Sequence, residues 1–111
     1  AWSRYDGHDY RIVLARIEGD RLLPLPFESE PGALDAELRV DGSARAILLY
    51  DAAVPRGLAV VSLDARGALL AKELHPELAG QRPVAAGAGA GGSTLTFADG
   101  STLATPGEAR R

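Results

Sequence analysis

Residues 34–50, LDAELRVDGSARAILLY, decide the fold class. The first seven of them alternate between apolar and polar side chains, which is typical of a strand with one buried face. Asp41-Gly42 follows, a pair favoured in tight type I′ turns because both residues tolerate a positive φ. Residues 44–50, ARAILLY, then provide a second apolar strand. The stretch therefore predicts an antiparallel hairpin.

The alternation also predicts which side chains of the first strand are buried. We expect its apolar side chains to face the core and its charged side chains to face solvent. The apolar set is Leu34, Ala36, Leu38 and Val40, and the charged set is Asp35, Glu37 and Arg39. A helix over residues 30–39 is the competing interpretation, with Ser29 as its N-cap and Pro31 in its first turn. Gly32 and the period of two count against this helix.

Three further turn signals lie on either side of this hairpin. They are Gly19-Asp20, Arg66-Gly67 and Asp99-Gly100. The segments that flank them are 11–18 and 21–28, 58–63 and 68–72, and 94–97 and 101–104. Each signal predicts another hairpin. Because a single sheet would leave an apolar face in water, we predict an all-β fold: a small sandwich or partly open barrel of six to eight short, mostly antiparallel strands joined by hairpins.

The first of these hairpins has two different strands. Residues 11–18, RIVLARIE, are apolar on both faces in their first half, which predicts a central strand covered on both sides there. Residues 21–28 contain Pro24 and Pro26, which have no N–H for a ladder hydrogen bond. This segment should therefore be an edge strand or polyproline-like, and prolines at an edge more often block pairing with another chain than invite it.

The chain of 111 residues is interpreted as a single domain. Three parts of it are expected to be irregular. They are the N-terminal segment 1–10, the Gly/Ala-rich loop 85–92 and the loose C-terminal tail 105–111. A short edge strand is the alternative for the N-terminal segment.

Residues 68–79 allow two interpretations. Their first part continues the hairpin after Arg66-Gly67 as a strand. A short helix is the alternative, because Leu70, Leu74 and Leu78 are spaced by four. Pro76 would limit such a helix to a turn or two on either side.

Composition excludes several classes of function. The formal net charge of −3, with basic residues spread along the chain, argues against a nucleic-acid-binding protein. A chain without cysteine has no disulfide framework, cysteine-ligated metal or thiol chemistry. No apolar run approaches the roughly 18 residues that cross a bilayer, so we expect no direct membrane span.

Source and location follow from composition and from the first residue. Lys72 is the only lysine among 12 basic residues, and this Arg-rich composition with abundant Ala and Gly is typical of a GC-rich bacterial genome. Ala1 is a small residue of the kind found at signal-peptide cleavage sites. We therefore expect a secreted or periplasmic protein, with a processed cytosolic protein or a trimmed chain as the alternatives.

No motif for catalysis or cofactor binding is found. Gly87, Gly89 and Gly92 match G-x-G-x-x-G, but an alternating strand follows them instead of the helix that would hold a pyrophosphate. No serine lies in G-x-S-x-G or S-x-x-K. The segment 6–9, DGHD, matches no metal-loop spacing and is interpreted as an exposed polar loop. We expect no enzyme activity, no cofactor and no metal.

The N-terminal aromatic residues are the most suggestive binding feature. Trp and Tyr combine a large contact area with a polar tip, and interfaces favour them. We predict a docking patch or sugar-stacking platform formed by Trp2, Tyr5, His8 and Tyr10. The competing interpretation is that Trp2 and Tyr10 cover one end of the core.

These observations lead to two hypotheses about function. The first is a non-enzymatic accessory or structural β-module, a subunit or domain of a larger extracytoplasmic bacterial assembly that binds a protein partner or itself. The alternative is a small-ligand or carbohydrate-binding domain that uses the N-terminal aromatic cluster.

Overall fold

The computed structural model describes residues 2–5, 7, 10–40, 46–53, 55–64, 66–89 and 92–106. Within these residues the chain forms ten β-strands and one turn of 3₁₀ helix. The strands are β1 (Trp2–Tyr5), β2 (Tyr10–Glu18), β3 (Arg21–Glu28), β4 (Leu34–Val40), β5 (Ala46–Ala53), β6 (Arg56–Leu63), β7 (Leu69–His75), β8 (Ala85–Gly89), β9 (Gly92–Thr96) and β10 (Thr102–Pro106). The 3₁₀ turn, Pro76–Leu78, lies between β7 and β8.

The strands form three antiparallel sheets. The first sheet has the order β1-β2-β3, the second β4-β5-β6-β7 and the third β10-β9-β8. Neighbouring strands in each sheet are also consecutive in sequence, so each sheet is an up-and-down meander of hairpins. The predicted all-β class and its hairpin connections are confirmed. The strand count was too low by two, because β1 and β8 lie in segments that were expected to be irregular.

The second sheet is the middle layer of a three-layered sandwich. Side chains of β5 and β6 point alternately into two separate apolar clusters. The first cluster is Ile12, Leu14, Ala33, Leu48, Tyr50, Ala52, Ala59, Val61 and Leu63. The second cluster is Ile47, Leu49, Leu58, Val60, Leu95 and Phe97. The first sheet therefore covers one face of the middle sheet through β2, and the third sheet covers the other through β9.

This layering explains the continuous apolar runs of β5 and β6. A strand that is buried on both faces needs no polar side chains along its length. Residues 47–50 are each 0% exposed, and residues 58–61 are at most 1% exposed. The two strands thus contribute to both cores at once.

The predicted burial of β4 is wrong for three of its four apolar side chains. Leu34, Leu38 and Val40 are 50%, 47% and 62% exposed, and only Ala36 packs against the first cluster. β4 is an edge strand, so it has a neighbour on one flank only. The competing helix over residues 30–39 is absent, because a turn at residues 31–32 leads into this strand.

A backbone irregularity also interrupts the alternation in β4. Asp35 has a φ of 56°, and the pairing with β5 shifts register between Leu34 and Glu37. Positive φ is uncommon outside glycine, and Asp is one of the residues that tolerates it best. Beyond the shift, Glu37 and Arg39 are half-buried, although the alternation had assigned them to solvent.

The hairpin of residues 34–50 forms with a longer connection than the turn signal predicts. Val40 pairs with Ala46, whereas a two-residue turn at Asp41-Gly42 would pair Val40 with Ser43. Residues 41–45, including the predicted turn, lie outside the described residues. The strand pairing is confirmed, and the two-residue register is wrong.

Carboxylates hold two of the other predicted turns. Asp64 Oδ1 accepts hydrogen bonds from the N–H groups of Arg66 and Ala68 at 2.8 and 2.9 Å. Asp99 Oδ1 accepts from the N–H and the hydroxyl of Ser101 at 2.9 and 2.6 Å. These hydrogen bonds lower the pKa of both carboxyl groups. Both loops are therefore fixed by the Asx chemistry typical of turns.

Three segments that were expected to be irregular contain strands. Residues 2–5 form β1, an edge strand as the alternative for that segment predicts, residues 85–89 form β8, and residues 105–106 end β10. β8 pairs with β9 from Ala85 opposite Thr96 to Gly89 opposite Gly92. Backbone hydrogen bonds to β9 hold this low-complexity segment as a strand, and its small side chains do not indicate this pairing. The G-x-G-x-x-G match accordingly spans two antiparallel strands and does not open a helix.

Candidate functional site

The predicted N-terminal site is divided by the register of β1 and β2. Tyr5 pairs with Tyr10, whereas Trp2 pairs with Val13. Positions 2 and 5 are three residues apart in one strand, so they belong to opposite faces of the sheet. Tyr10 is 49% exposed, and His8 lies outside the described residues, as does the rest of segment 6–9 except Gly7. The register thus brings positions 5 and 10 together and separates position 2 from them.

The outer face of the β2–β3 hairpin carries contiguous apolar side chains, of which three are exposed and one, Ala15, is half-buried. Ala15 pairs with Pro24 and Ile17 pairs with Leu22, and directly opposite residues of an antiparallel pair share one face. Ile17 is 74% exposed and Leu22 is 59% exposed. We call these four residues, Ala15, Ile17, Leu22 and Pro24, the hairpin face. The alternation of β2 in the sequence was the signal for this surface, because it places Ala15 and Ile17 on one side.

The opposite side of β2 is anchored in the core. Ile12 and Leu14 are 0% and 3% exposed and belong to the first cluster. Ser29 Oγ accepts a hydrogen bond from the Ile12 N–H at 2.7 Å, and the Ser29 N–H donates to the Ile12 carbonyl at 2.9 Å. Val13, on the outer side, is only 8% exposed. The prediction of a central strand covered on both sides in its first half is confirmed, and the hairpin face extends from this fixed base.

The turn of the hairpin places Asp20 at the tip of the face, and Arg21, directly after it, belongs to the opposite face of the sheet. Glu18 pairs with Arg21, which leaves Gly19 and Asp20 as a two-residue turn, as predicted. The φ of Gly19 is 61°, a conformation that this kind of turn requires. Ile17, Asp20, Arg21 and Leu22 line an open hollow of about 190 Å³. Within the described part of the chain, neither Asp20 nor Arg21 forms an ion pair.

A cavity of about 300 Å³ lies between the edge strands β3 and β7. Phe27 and Leu69 form its apolar walls, and Glu28 and Lys72 contribute opposite charges. The prediction that residues 21–28 form an edge strand is confirmed by this position. The cavity joins residues more than 40 positions apart in the chain, as Phe27 and Lys72 illustrate, and no sequence signal indicated it.

Hydrogen bonds fix Lys72 beside this cavity. Its Nζ donates to Glu30 Oε2 at 2.6 Å, and the buried Tyr50 hydroxyl donates to the same oxygen at 2.8 Å. The Nζ also lies 5.8 Å from the centre of the Tyr50 ring, a cation–π distance. Both the ammonium and the phenol are therefore engaged in binding one carboxylate.

The pKa shifts in this network have opposite directions. Burial raises the pKa of Tyr50, and the hydrogen bond to Glu30 and the charge of that residue raise it further. Burial alone would raise the pKa of Glu30 as well. The hydrogen bonds from Lys72, from its own backbone and from Tyr50, together with the charge of Lys72, outweigh burial and lower it. At neutral pH the network is thus an ion pair with a neutral phenol, which is a structural arrangement.

A group of charged side chains around Arg82 ties the connection before β8 to the middle sheet. Arg82 Nη1 donates to Asp51 Oδ1 at 2.9 Å, and Nη2 donates to the carbonyl of Asp35 at 2.7 Å. Arg82 Nε lies 3.9 Å from Glu37 Oε2, and Glu37 also pairs with Arg39. An open cavity of about 440 Å³ adjoins these groups. The guanidinium is occupied on several sides, so this cluster also serves the fold.

His75 lies between two carboxylates at the end of β7. Its Nδ1 is 3.2 Å from Glu77 Oε1, and its Nε2 is 4.0 Å from Glu73 Oε1. The backbone N–H of Glu77 and then the histidine lower the pKa of the Glu77 carboxyl. Across the described ranges, no group of three or more His, Cys, Asp or Glu side chains is arranged to hold a metal ion.

Comparison of the chain with protein-family models, with curated proteins and with solved structures finds no match. Among the described residues, no helix has the length and apolar character to cross a membrane. The hairpin face is the candidate functional surface, since Ile17 and Leu22 are largely exposed and belong to neither apolar cluster of the described residues.

Proposed function

We propose that this chain is a non-enzymatic accessory or structural β-module that binds a protein partner through the hairpin face. The observation that carries the proposal is the cross-strand pair Ile17 and Leu22, whose side chains are 74% and 59% exposed within one apolar patch. Contiguous apolar patches on folded proteins mark interaction sites, because water solvates them poorly.

The edge of the hairpin favours docking by side chains over docking by strand addition. β3 is an edge strand and includes Pro24 and Pro26, which have no N–H to donate to an incoming strand. A partner strand would therefore lack a continuous ladder at this edge. The partner must contact the face of the hairpin, where Ile17 and Leu22 are exposed.

The base of the hairpin favours a preorganised surface. Ile12 and Leu14 are buried in the first cluster, and Ser29 binds the backbone of Ile12 on both its N–H and its carbonyl. A surface that is already ordered loses less conformational entropy when it binds. The alternative of a sugar platform at Trp2 and Tyr5 has less support, because their positions belong to opposite faces of one strand.

Site-specific cross-linking tests the proposal. A photo-reactive phenylalanine is placed at Ile17 in the full chain, and as the matched control at Val84, which is 59% exposed elsewhere on the surface. We expect irradiation in an extract of the source cells to give a discrete protein adduct at position 17 and none at position 84. Equal labelling at both positions, or no adduct at position 17, would show that the hairpin face is not a docking surface.

A further inference from the structure

The outer edge of β4 is open to another strand. β4 is the first strand of the middle sheet, and among the described strands only β5 pairs with it. An edge strand presents unpaired backbone N–H and C=O groups along its free side. Unlike β3, β4 contains no proline that would interrupt a ladder. Leu38 and Val40 are 47% and 62% exposed, so an added strand would also cover apolar side chains.

The regular part of β4 separates its apolar and charged side chains onto two faces. Its pairing with β5 is continuous from Glu37 to Val40, beyond the register shift. Leu38 lies opposite Leu48 of the first cluster, and Glu37 lies opposite Leu49 of the second cluster. Directly opposite residues share a face, and side chains alternate along a strand. The exposed apolar side chains therefore belong to the face toward the first sheet, and the charged side chains to the face toward the third.

The charges of this part are arranged symmetrically about Leu38. Glu37 precedes it, Arg39 follows it, and the two form an ion pair within one copy. An antiparallel copy of β4 centred on Leu38 places each Glu37 opposite Arg39 of the other copy. Centring the pair on Glu37 or on Arg39 instead places like charges directly opposite each other, which destabilises a strand pair. The charge pattern is therefore complementary to an antiparallel copy of itself when the pair is centred on Leu38.

We propose that β4 pairs with β4 of a second copy of this chain, antiparallel and with Leu38 at the two-fold axis. The axis is perpendicular to the sheet, so the two middle sheets of four strands join into one continuous sheet. Leu38 packs on Leu38 of the second copy on one face. On the other face Glu37 and Arg39 of both copies form a square in which each acid lies next to two bases. This surface excludes the hairpin face, so the inference goes beyond the proposed function and does not depend on it.

This arrangement predicts a weak dimer. One short strand a side forms a smaller contact than the roughly 800 Å² per partner of a standard stable interface. We therefore expect a dissociation constant in the micromolar range or weaker. Analytical ultracentrifugation of the natural chain over a range of concentrations should show a monomer–dimer equilibrium.

A single introduced cysteine tests the register, because the natural chain has none. Leu38→Cys places two thiols directly opposite each other, where the Cα atoms of an antiparallel pair are about 4.5–5.5 Å apart, within reach of a disulfide. Val40→Cys is the matched control in the same strand, because its two copies would be about 13 Å apart. We expect oxidation to convert Leu38→Cys into a covalent dimer of twice the 11.6 kDa mass and to leave Val40→Cys monomeric.

Charge substitutions at the edge test the same pairing without a covalent bond. Leu38→Lys places like charges at the axis and should weaken dimerisation by about tenfold or more. Leu69→Lys, at a 54% exposed position in the other edge strand of the same sheet, is its control and should not change dimerisation. Arg39→Glu places acids opposite acids and should weaken dimerisation too, whereas Arg56→Glu, at an exposed position in β6, should not. Circular dichroism of each variant verifies that the fold is retained.

Three outcomes would overturn the β4 pairing. They are a natural chain that stays monomeric at high concentration, Leu38→Cys and Val40→Cys that cross-link equally, and a Leu38→Lys variant that dimerises as the natural chain does. Ile17→Ser distinguishes this dimer from association through the hairpin face. It should leave the β4 dimer unchanged, and a dimer that is lost in Ile17→Ser but retained in Leu38→Lys would assign self-association to the hairpin face instead.

Discussion

Gly67 determines how closely the β6–β7 loop approaches β3. Its φ is 82°, and a Cβ at this position would lie 2.6 Å from Leu25 Cδ1. Leu25 packs against the first cluster, so its side chain has limited room to move away. Gly100 has a similar φ of 87° but nothing within 4 Å of its missing Cβ. Both positions therefore favour glycine because of their positive φ, and only at Gly67 would a Cβ also collide with a neighbouring side chain.

We predict that Gly67→Ala destabilises the protein more than Gly100→Ala does. Both substitutions place a side chain at positive φ, at a cost of about 1–2 kcal/mol each. Gly67→Ala adds overpacking against Leu25, which costs about 1–3 kcal/mol more. Urea unfolding of both variants measures the difference. Equal losses of stability would show that the loop does not press on β3.

The Glu30 carboxylate makes the stability of this network depend on pH. Its pKa is lower in the folded state than its ordinary value of 4.5, because its hydrogen bonds and the charge of Lys72 outweigh its burial. A group with a lowered folded pKa stabilises the fold above the unfolded pKa, and this stabilisation is lost as pH falls through the folded value. The contribution is therefore complete at neutral pH and declines below about pH 4.5.

We expect Lys72→Met to lower the free energy of unfolding at pH 7 by about 0.2–1 kcal/mol, the range of partly exposed ion pairs. The difference from the natural chain should shrink as Glu30 becomes protonated in acid. Glu30→Gln is the control, because Lys72→Met in that background should change stability little at either pH. A Lys72→Met effect that is the same at pH 7 and at pH 3 would contradict the assignment.

At the scale of the strand, periodicity and apolar content predict some strands correctly and fail at others. The apolar runs of β5 and β6 and the turn signals around them were sufficient to predict the hairpins. β8 was missed because AAGAG has no alternation of large side chains, and its strand depends on pairing with β9. The burial of β4 was overestimated because periodicity does not indicate that a strand lies at an edge of its sheet.

For the candidate sites too, the sequence predicts contacts between residues close together in the chain and not contacts between distant ones. The alternation of β2 placed Ala15 and Ile17 on one side, and the hairpin turn at Gly19-Asp20 determined which residues oppose them. Glu30 and Lys72 are 42 positions apart, and their contact exists only because the first and second sheets pack together. For the predicted N-terminal patch, the register adds that positions 2 and 5 belong to opposite faces of β1, because adjacency in sequence does not imply one face of a strand.

On the scale of the whole molecule, the middle sheet makes the two cores interdependent. Leu48 points into the first cluster and Leu49 into the second, although they are neighbours in β5. Loss of packing on one face therefore loosens the strands that form the other face. The three layers should unfold as one cooperative unit, which is the usual behaviour of small domains.

Leu49→Ala removes packing against the third sheet. We predict that it destabilises the first sheet as much as it destabilises the third. Leu→Ala at a fully buried position costs about 2–5 kcal/mol, and Leu49 is 0% exposed. Trp2, the only tryptophan, lies in β1 of the first sheet, so its fluorescence reports on the far side of the molecule from the substitution. The denaturation midpoint from fluorescence should fall together with the midpoint from circular dichroism. A fluorescence midpoint that stays in place while the circular dichroism midpoint falls would mean that the outer sheets unfold independently, and that the middle sheet does not couple them.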